Sequence, residues 1–325
     1  MPSPIQVSII IPVYNAGASI DACLESISSQ DCGDIEIIVV DDGSTDDSAA
    51  GLKVWAGRDP RLVILSHPQN ANRGVAATRN LGLQHAHGDY IWFVDADDRV
   101  KPGAVANLLS MAKNHGSDIV AFNGDEFVLG VAVGRIYRQP KPLTVVTGEA
   151  WVKLSCEQKE FPHLVWLRFY RRAFLEACGL QFKEGIVHED IGWITEGDLR
   201  APRFIYIDRA LYEYQRHEQS ITGSSSETSL LRRAEGLLEV VAQLRDINLR
   251  VPMSVATRNL LRAELVGQGL QVDRLRQHIH TPERRQRIDQ QIKAANLWRS
   301  LWRDATRLTR KRQLLQVMWR EFIRR

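Results

Sequence analysis

Short apolar runs alternate with stretches of helical periodicity through the first hundred residues. The apolar runs cover residues 7–11, 35–40, 61–66 and 90–94. They are continuous rather than alternating, which predicts strands buried on both faces. Residues 18–30 and 74–86 carry apolar side chains at helical spacing. Strands that alternate with helices predict an α/β fold with a doubly wound, mostly parallel sheet.

Polar clusters follow three of the predicted strands, at residues 12–15, 41–44 and 95–98. Ligands of doubly wound sheets bind outside the carboxyl ends of the strands, so these clusters predict one binding edge. Turn formation alone explains the cluster at 41–44 equally well. The like charges of Asp95 and Asp97, however, require a counterion. Mg²⁺ or Mn²⁺, bound by these carboxylates and by substrate phosphates, satisfies that need.

Bulk composition excludes few function classes. The chain has 325 residues and a formal net charge of +3, which argues against a nucleic-acid partner. Its four cysteines form no CxxC pair, and we expect them to be reduced. No apolar stretch is long enough to cross a bilayer. We therefore expect a cytoplasmic protein that is soluble or lies on a membrane surface.

Five motifs stand in the order and spacing found in family 2 glycosyltransferases with the GT-A fold. They read VSIIIPVYNAG, EIIVVDDGSTDDS, NRGVAATRNLGL, GDYIWFVDADD and HEDIGW. The resemblance covers roughly residues 5–220. It implies a GT-A sheet. The apolar stripe at i, i+3, i+4 and i+7 in residues 230–244 separately predicts a helical C-terminal region. The resemblance also implies metal-dependent, inverting transfer of a sugar from a nucleotide-diphosphate donor, with Mn²⁺ or Mg²⁺ as cofactor.

The resemblance assigns most of its site residues to the donor. Pro12 and Tyr14 would border the base, and Asp42 would accept a hydrogen bond from a pyrimidine ring N–H. That contact favours a UDP-sugar, although thymine offers the same N–H. Asp97 would ligate the metal together with Asp95, which would also contact the ribose. The nucleotide-sugar-binding set is Pro12, Tyr14, Asp42, Arg79, Asp95 and Arg216.

The acceptor side is implied by the second half of the chain. Asp190 resembles the catalytic base of the family, which must lie within hydrogen-bond reach of the acceptor hydroxyl. His188, Glu189 and Trp166 would shape the acceptor pocket. Taken alone, the Glu189–Asp190 pair is also typical of a helix N-terminus, and His188 of a structural histidine.

The acceptor itself is suggested by residues 151–176. This segment resembles bacterial lipopolysaccharide-core transferases, most of all the glucuronosyltransferase that modifies an inner-core heptose. A hexosyl- or rhamnosyltransferase of exopolysaccharide or O-antigen assembly on a lipid carrier is the alternative. A sugar-phosphate nucleotidyltransferase is the alternative from another class, but it would carry a basic Gly-rich loop after the first strand. Here that position reads PVYNAGAS.

A basic amphipathic stretch closes the sequence. Residues 296–325 hold nine Lys and Arg against two acidic residues. The apolar positions on one helical face are Trp298, Leu301, Trp302, Ala305, Leu308, Leu315, Trp319, Phe322 and Ile323. This pattern predicts peripheral contact with the inner face of the cell membrane, or a helix docked on the enzyme. We expect a nucleotide-sugar-binding half at 1–125, an acceptor-binding half at 126–225 and a helical region at 226–325.

Overall fold

Strands and helices alternate through the first hundred residues, as the apolar pattern predicts. The computed structural model describes residues 5–17, 19–32, 34–216 and 224–323, with the side chains of 321–323 left undescribed. Over these ranges the strands are β1 (Val7–Val13), β2 (Ile35–Asp41), β3 (Leu62–Ser66), β4 (Tyr90–Phe93), β5 (Arg99–Val100), β6 (Ile119–Val128), β7 (Val131–Arg135), β8 (Arg168–Arg171) and β9 (Phe204–Arg216). The helices are α1 (Ser19–Ser28), α2 (Ser48–Arg58), α3 (Val75–Gln84), α4 (Ala104–His115), α5 (Gly148–Gln158), α6 (Arg172–Cys178), α7 (Glu189–Arg200), α8 (Glu227–Arg250), α9 (Val255–Gln277), α10 (Pro282–Ala294), α11 (Leu297–Asp304) and α12 (Leu308–Ile323).

The strands form one mixed sheet in the order β3-β2-β1-β4-β8-β6-β9-β5, with β7 paired to β6. Strands β3, β2, β1 and β4 are parallel to their neighbours within this group. β8 joins antiparallel to β4, and β9 runs parallel to β6. The four parallel strands therefore bring the loops that follow β1, β2 and β4 to one edge of the sheet, as the sequence predicts.

Strand β1 runs two residues further than the sequence predicts, because Pro12 does not end it. Backbone groups alternate between the two sides of a strand. The Ile10 carbonyl accepts from the Val94 N–H on the β4 side, so Pro12 also faces that side. Pairing with β4 ends at Ile10 and Phe93, and Pro12 lies beyond it. The missing proline N–H therefore removes no bond from the sheet.

The chain groups into two compact units. The first contains the residues up to Trp151, Pro162–Gly185, and the stretch from Arg200 through β9. It holds the whole sheet, in which β1, β2 and β4 are almost completely buried. The predicted burial on both faces is wrong for β3, which lies at the edge of the sheet and is fully buried only at Leu62. The second contains Val152–Phe161, Ile186–Leu199 and the helices from α8 onward.

In the second unit, α8 and α9 form the main helix pair, and α11 packs on α9. The predicted apolar face at the end of the sequence is divided between two helices. Trp298, Leu301 and Ala305 are buried, whereas Leu308 and Leu315 are exposed. The side chains of the predicted face at 322 and 323 lie outside the described residues. Among the residues that the structure describes, no helix has the length and apolarity required to cross a membrane.

Candidate active site

The loops after β1 and β2 are hydrogen-bonded to each other. The Asn15 N–H donates to Ser44 Oγ at 3.0 Å, and the Thr45 N–H donates to Asn15 Oδ1 at 2.7 Å. Asn15 has a positive φ of 50°, a conformation that asparagine tolerates better than most residues. Tyr14, directly before this junction, is 52% exposed, and Pro12 is half-buried. The tyrosine ring is therefore available to a ligand at this edge of the sheet.

Asp42 has a structural role that the sequence does not reveal. Its Oδ1 accepts the Arg73 N–H at 2.7 Å, and its Oδ2 accepts the Gly74 N–H at 2.9 Å. These donors directly precede α3, and the Asp42 side chain is 5% exposed. His67 Nε2 lies 3.6 Å from the same carboxylate. A carboxylate has acceptor sites for about four hydrogen bonds, so the predicted contact with a pyrimidine N–H remains compatible with this arrangement.

The three carboxylates after β4 occupy three different environments. Asp98 is 1% exposed, Asp95 is half-buried and Asp97 is exposed. Asp98 Oδ2 accepts from the Tyr212 hydroxyl at 2.7 Å, and Asp98 Oδ1 accepts the Gln215 N–H at 2.7 Å. Burial raises the pKa of Asp98 well above its usual value, and the neighbouring carboxylates raise it further. Asp98 therefore anchors the 95–98 turn to β9, and it is not exposed to a ligand.

Asp95 is paired with Arg79, which lies on α3. Arg79 Nη2 lies 2.8 Å from Asp95 Oδ1, and the guanidinium stands 5.6 Å from the centre of the Phe182 ring. The arginine side chain is only 6% exposed. The structure thus joins two residues that the sequence assigns separately to the nucleotide. Arg79 positions and neutralises Asp95, and its predicted contact with the nucleotide stays a prediction.

The donor set suits a divalent cation that keeps several ligand positions for substrate and water. Within the described residues, no group of three or more His, Cys, Asp or Glu side chains is arranged to hold a metal ion. Mg²⁺ commonly binds through one or two carboxylates plus substrate phosphates, and does not need a complete protein cage. Asp97 supplies one exposed carboxylate, and the second oxygen of Asp95 supplies another. These two residues fit such a site.

Two other residues that the sequence assigns to ligand binding, Arg216 and Trp166, contact other side chains of the protein. Arg216, at the end of β9, is 64% exposed and lies 3.2 Å from Glu126. Trp166 is 3% exposed and stacks on Tyr212 at 4.3 Å between ring centroids. Its place in an acceptor pocket stays a prediction, because the described contacts of its ring are with aromatic side chains of β9. The same holds for the phosphate contact of Arg216.

Sequence reasoning missed the role of Asn80, which fixes a distant loop to α3. Its side-chain amide donates to the Phe182 carbonyl at 2.9 Å and accepts the Phe182 N–H at 2.9 Å. Arg73 adds an ion pair with Glu184 at 3.0 Å. The partners are about one hundred residues apart in sequence, so no local pattern could indicate them. The loop at 182–184 is thereby held beside the helix that carries Arg79.

In the second unit, Glu189 and Asp190 open α7, as the helix-start interpretation predicts. Glu189 is 6% exposed, and Asp190 is half-buried. His188 directly precedes the helix with a positive φ of 68°. Burial, and secondarily the charge of Arg233, lowers the pKa of His188 to about 4. His188 is therefore a neutral imidazole at pH 7, which can donate one hydrogen bond and accept another next to Asp190.

A cavity of about 220 Å³ lies in the same unit and was not predicted. Its walls are Val187, Ser226, Thr228, Ser229, Arg232 and Arg233. The described lining residues offer hydroxyl groups and two guanidinium groups, and none of them carries a carboxylate. The lining includes the start of α8, where Ser226 caps the helix by accepting the Ser229 N–H. This chemistry suits an anionic group, such as a phosphate or a carboxylate.

Comparison with known proteins matches these features to one family. Residues 8–154 match the family model described as Glycosyl transferase family 2. The chain is 34% identical over 229 residues to the uncharacterized glycosyltransferase YibD of Escherichia coli (strain K12), covering 68% of this chain. That alignment spans 64% of the length of the relative.

Two solved structures show the same fold. S. aureus TarS 1-349 in complex with UDP-GlcNAc has a TM-score of 0.68 at 21% identity, covering 91% of this chain and 83% of that one. The mannosyltransferase PcManGT from Pyrobaculum calidifontis, in complex with GDP-Man and Mn²⁺, has a TM-score of 0.59 at 17% identity, covering 93% and 85%. The sheet with its C-terminal helices is therefore the GT-A fold that the sequence predicts.

Proposed function

We propose that this chain, which belongs to glycosyl transferase family 2, transfers a sugar from a UDP-sugar to a bacterial cell-surface glycan. The observation that carries this proposal is the edge of the sheet where the loops after β1, β2 and β4 meet. An exposed aromatic ring, Tyr14, and two accessible carboxylates, Asp95 and Asp97, lie on these loops. They offer stacking for a base and ligands for a cation on a diphosphate.

Each donor-side residue has a distinct part in the proposed reaction. Tyr14 and Pro12 border the base, and Asp42 accepts the uracil ring N–H. Arg79 holds Asp95 by the 2.8 Å ion pair, so that Asp95 keeps one orientation toward the ribose and the cation. Arg216 binds the diphosphate. Asp97 and Asp95 would hold a divalent cation, which would neutralise the charge that grows on the leaving diphosphate.

Asp190 is the proposed general base. It removes the proton of the acceptor hydroxyl as that oxygen attacks the anomeric carbon of the donor, and the bond to the nucleoside diphosphate breaks. One displacement inverts the anomeric centre. His188 and Glu189 orient Asp190 and the acceptor. The neutral state of His188 at pH 7 supports this part, because a neutral imidazole adds no competing positive charge beside the base.

For the acceptor we propose the lipopolysaccharide core, with glucuronic acid transferred to a heptose as the specific reaction. The resemblance of residues 151–176 supports this assignment. The cavity that contains Arg232 and Arg233 supports an acceptor that carries phosphate groups. The basic pair Arg171 and Arg172 does not add to this support. Arg171 is bonded to Asp118, and Arg172 donates to the Gly88 carbonyl at 2.7 Å.

A thermal-shift panel tests the donor site. UDP, GDP, dTDP and CMP are each added with and without Mn²⁺, because a ligand that binds only the folded state raises the melting temperature. UDP should stabilise the protein in a metal-dependent manner. Asp97→Asn should abolish that dependence. Asp89→Asn is the matched control, because Asp89 is an exposed aspartate at the opposite end of β4.

The proposal fails if no nucleotide shifts the transition, or if Asp97→Asn keeps a full metal-dependent shift. If UDP binds, release of UDP from UDP-glucuronic acid and from UDP-hexoses in the presence of core oligosaccharide identifies the transferred sugar. Preference for a UDP-hexose would reject the glucuronosyl assignment and keep the glycosyltransferase.

A further inference from the structure

Helix α12 exposes an apolar strip on its outer side. Leu308, Leu315 and Trp319 are 77%, 51% and 63% exposed. Spacings of seven and four residues place them on one face of the helix. Leu314 and Val317, on the other side, are buried. The helix therefore has one apolar face packed within its own unit and a second apolar face at the surface.

The surroundings of this strip are strongly positive. The cations of α11, α12 and the turn between them are Arg299, Arg303, Arg307, Arg310, Lys311, Arg312 and Arg320. Asp304 is the single carboxylate of these two helices among the side chains that the structure describes. It is already bonded to Arg245 of α8 at 3.0 Å. Arg320 pairs with Asp273 of α9 at 2.8 Å. The other six cations form no ion pair with a carboxylate side chain that the structure describes, so most of the positive charge beside the strip is uncompensated there.

A cleft of about 430 Å³ lies between the two helices. It is lined by Asn296, Arg299, Trp302, Arg303, Leu315 and Met318. Arg299 and Arg303 are one turn apart on α11, and both are exposed. Within the described ranges, neither guanidinium forms an ion pair. Leu315 belongs to both the cleft and the strip, so the basic and apolar surfaces are continuous.

We propose that α12 lies in the interface of an anionic membrane, with the exposed strip among the acyl chains. The phosphate of an anionic phospholipid is held in the cleft by Arg299 and Arg303. Exposed Leu and Trp side chains flanked by Lys and Arg match the chemistry of an interfacial helix. The uncompensated positive charge matches the negative surface potential of an anionic leaflet. Trp298 and Leu301 of α11 take no part, because they are buried.

Vesicle co-sedimentation of the full chain tests the inference without donor or acceptor, so its outcome is independent of the proposed reaction. The vesicles are phosphatidylcholine alone, or phosphatidylcholine mixed with phosphatidylglycerol. We expect binding to the mixed vesicles, weak binding to the neutral ones, and a decline with salt. Arg299→Gln with Arg303→Gln should lower the partition coefficient by about 30-fold, at about fivefold for each lost charge.

Two control variants distinguish the effects of the proposed membrane-binding site from the effects of net charge and surface polarity in general. Lys53→Gln with Arg58→Gln removes the same charge from two exposed positions of α2 and should bind nearly as the unaltered chain does. Leu315→Glu with Trp319→Glu should abolish binding. Leu249→Glu, at a position of α8 that is 74% exposed, should lower it only slightly.

Three results would overturn the inference. The first is equal binding to neutral and anionic vesicles, or none to either. The second is an equal loss of binding to the mixed vesicles in the α2 control and in the Arg299/Arg303 variant. The third is self-association of the unaltered chain in sedimentation velocity that Leu315→Glu abolishes, without vesicle binding. That result would assign the strip to a second copy of the chain. Far-UV circular dichroism of each variant verifies that it is folded.

Discussion

The Arg79–Asp95 ion pair should respond unequally to the loss of its two partners. The arginine side chain is 6% exposed, and the aspartate side chain is 29% exposed. Asp95→Ala leaves a buried guanidinium without its acceptor at 2.8 Å. Arg79→Met leaves a carboxylate that water reaches. The aspartate variant should therefore be the less stable of the two, although it removes the smaller side chain.

The magnitudes follow from the burial of each partner. Loss of one partner of a buried pair costs roughly 3–5 kcal/mol, because the remaining charge loses a hydrogen-bonded counterion. The Phe182 ring, 5.6 Å away, retains part of the stabilisation of Arg79, so we expect about 3 kcal/mol for Asp95→Ala. Arg79→Met loses a pair with a water-accessible carboxylate, worth about 1 kcal/mol, and a cation–π contact of about 0.5 kcal/mol. The methionine side chain of this variant fills most of the volume that the arginine side chain occupied.

Urea unfolding followed by far-UV circular dichroism measures both variants and the double variant. The difference in urea midpoint between a variant and the unaltered chain, multiplied by the common slope, gives the change in the free energy of unfolding. Once Arg79 is absent, loss of Asp95 should cost little more. The double variant should therefore resemble Arg79→Met, with an interaction energy of about 3 kcal/mol in magnitude.

The reasoning is refuted if Arg79→Met destabilises as much as Asp95→Ala, or if the two changes add. Glu126→Ala provides the comparison for an exposed pair. Its partner Arg216 is 64% exposed, so the expected loss is at most about 1 kcal/mol.

Three further predictions concern other parts of the chain. Gly88→Ala would place a Cβ 2.5 Å from the Ser8 backbone nitrogen, so the free energy of unfolding should fall by about 2 kcal/mol or more. Gly51→Ala, in open space on α2, should raise the free energy of unfolding by about 0.5–1 kcal/mol. Equal effects of the two changes in urea unfolding would contradict the close approach at Gly88. Because the pKa of His188 is lowered to about 4, the unfolded chain takes up its proton first, and stability falls as pH drops from about 6.5 to 4, by at most about 3 kcal/mol. His188→Asn tolerates the positive φ and should flatten this decline in unfolding experiments, and an unchanged decline would contradict the assignment. Asp190→Asn should lower turnover by about 10²–10⁴-fold with UDP affinity within about twofold, and a matching loss of affinity would exclude a role confined to proton transfer.

Local periodicity was sufficient to predict the parallel half of the sheet. Its strands are mostly apolar, interrupted in β1 and β2 by the bonded pair Ser8 and Glu36, and most ends lie within two residues of the prediction. Helix α2 was not predicted. Gly51 and Gly57 weaken its helical propensity, and its apolar residues form no regular stripe. The end of β1 was wrong by two residues because the position of β4, which makes Pro12 harmless, is not visible within β1 itself.

The candidate site was predictable as a place but not as a set of contacts. The ends of the predicted strands located the binding edge of the sheet, and the family motifs identified the candidate residues on it. The different roles of Asp95, Asp97 and Asp98 depend on contacts with residues that are distant in sequence. Tyr212 is 114 residues from Asp98, and a run of three acidic residues contains no information about it. The same limit applies to Asp42, whose backbone donors follow a separate strand.

Strand β9 has a consequence for the order in which the chain acquires its structure during synthesis. It pairs with both β6 and β5, and β5 has no other neighbour in the described sheet. It also supplies the hydroxyl and the N–H that hold Asp98. Until residues 204–216 leave the ribosome, β6 has an unpaired edge and the acidic turn has no anchor. A nascent chain stalled before this strand should therefore be prone to aggregate and unable to bind donor, even though all four parallel strands are already complete.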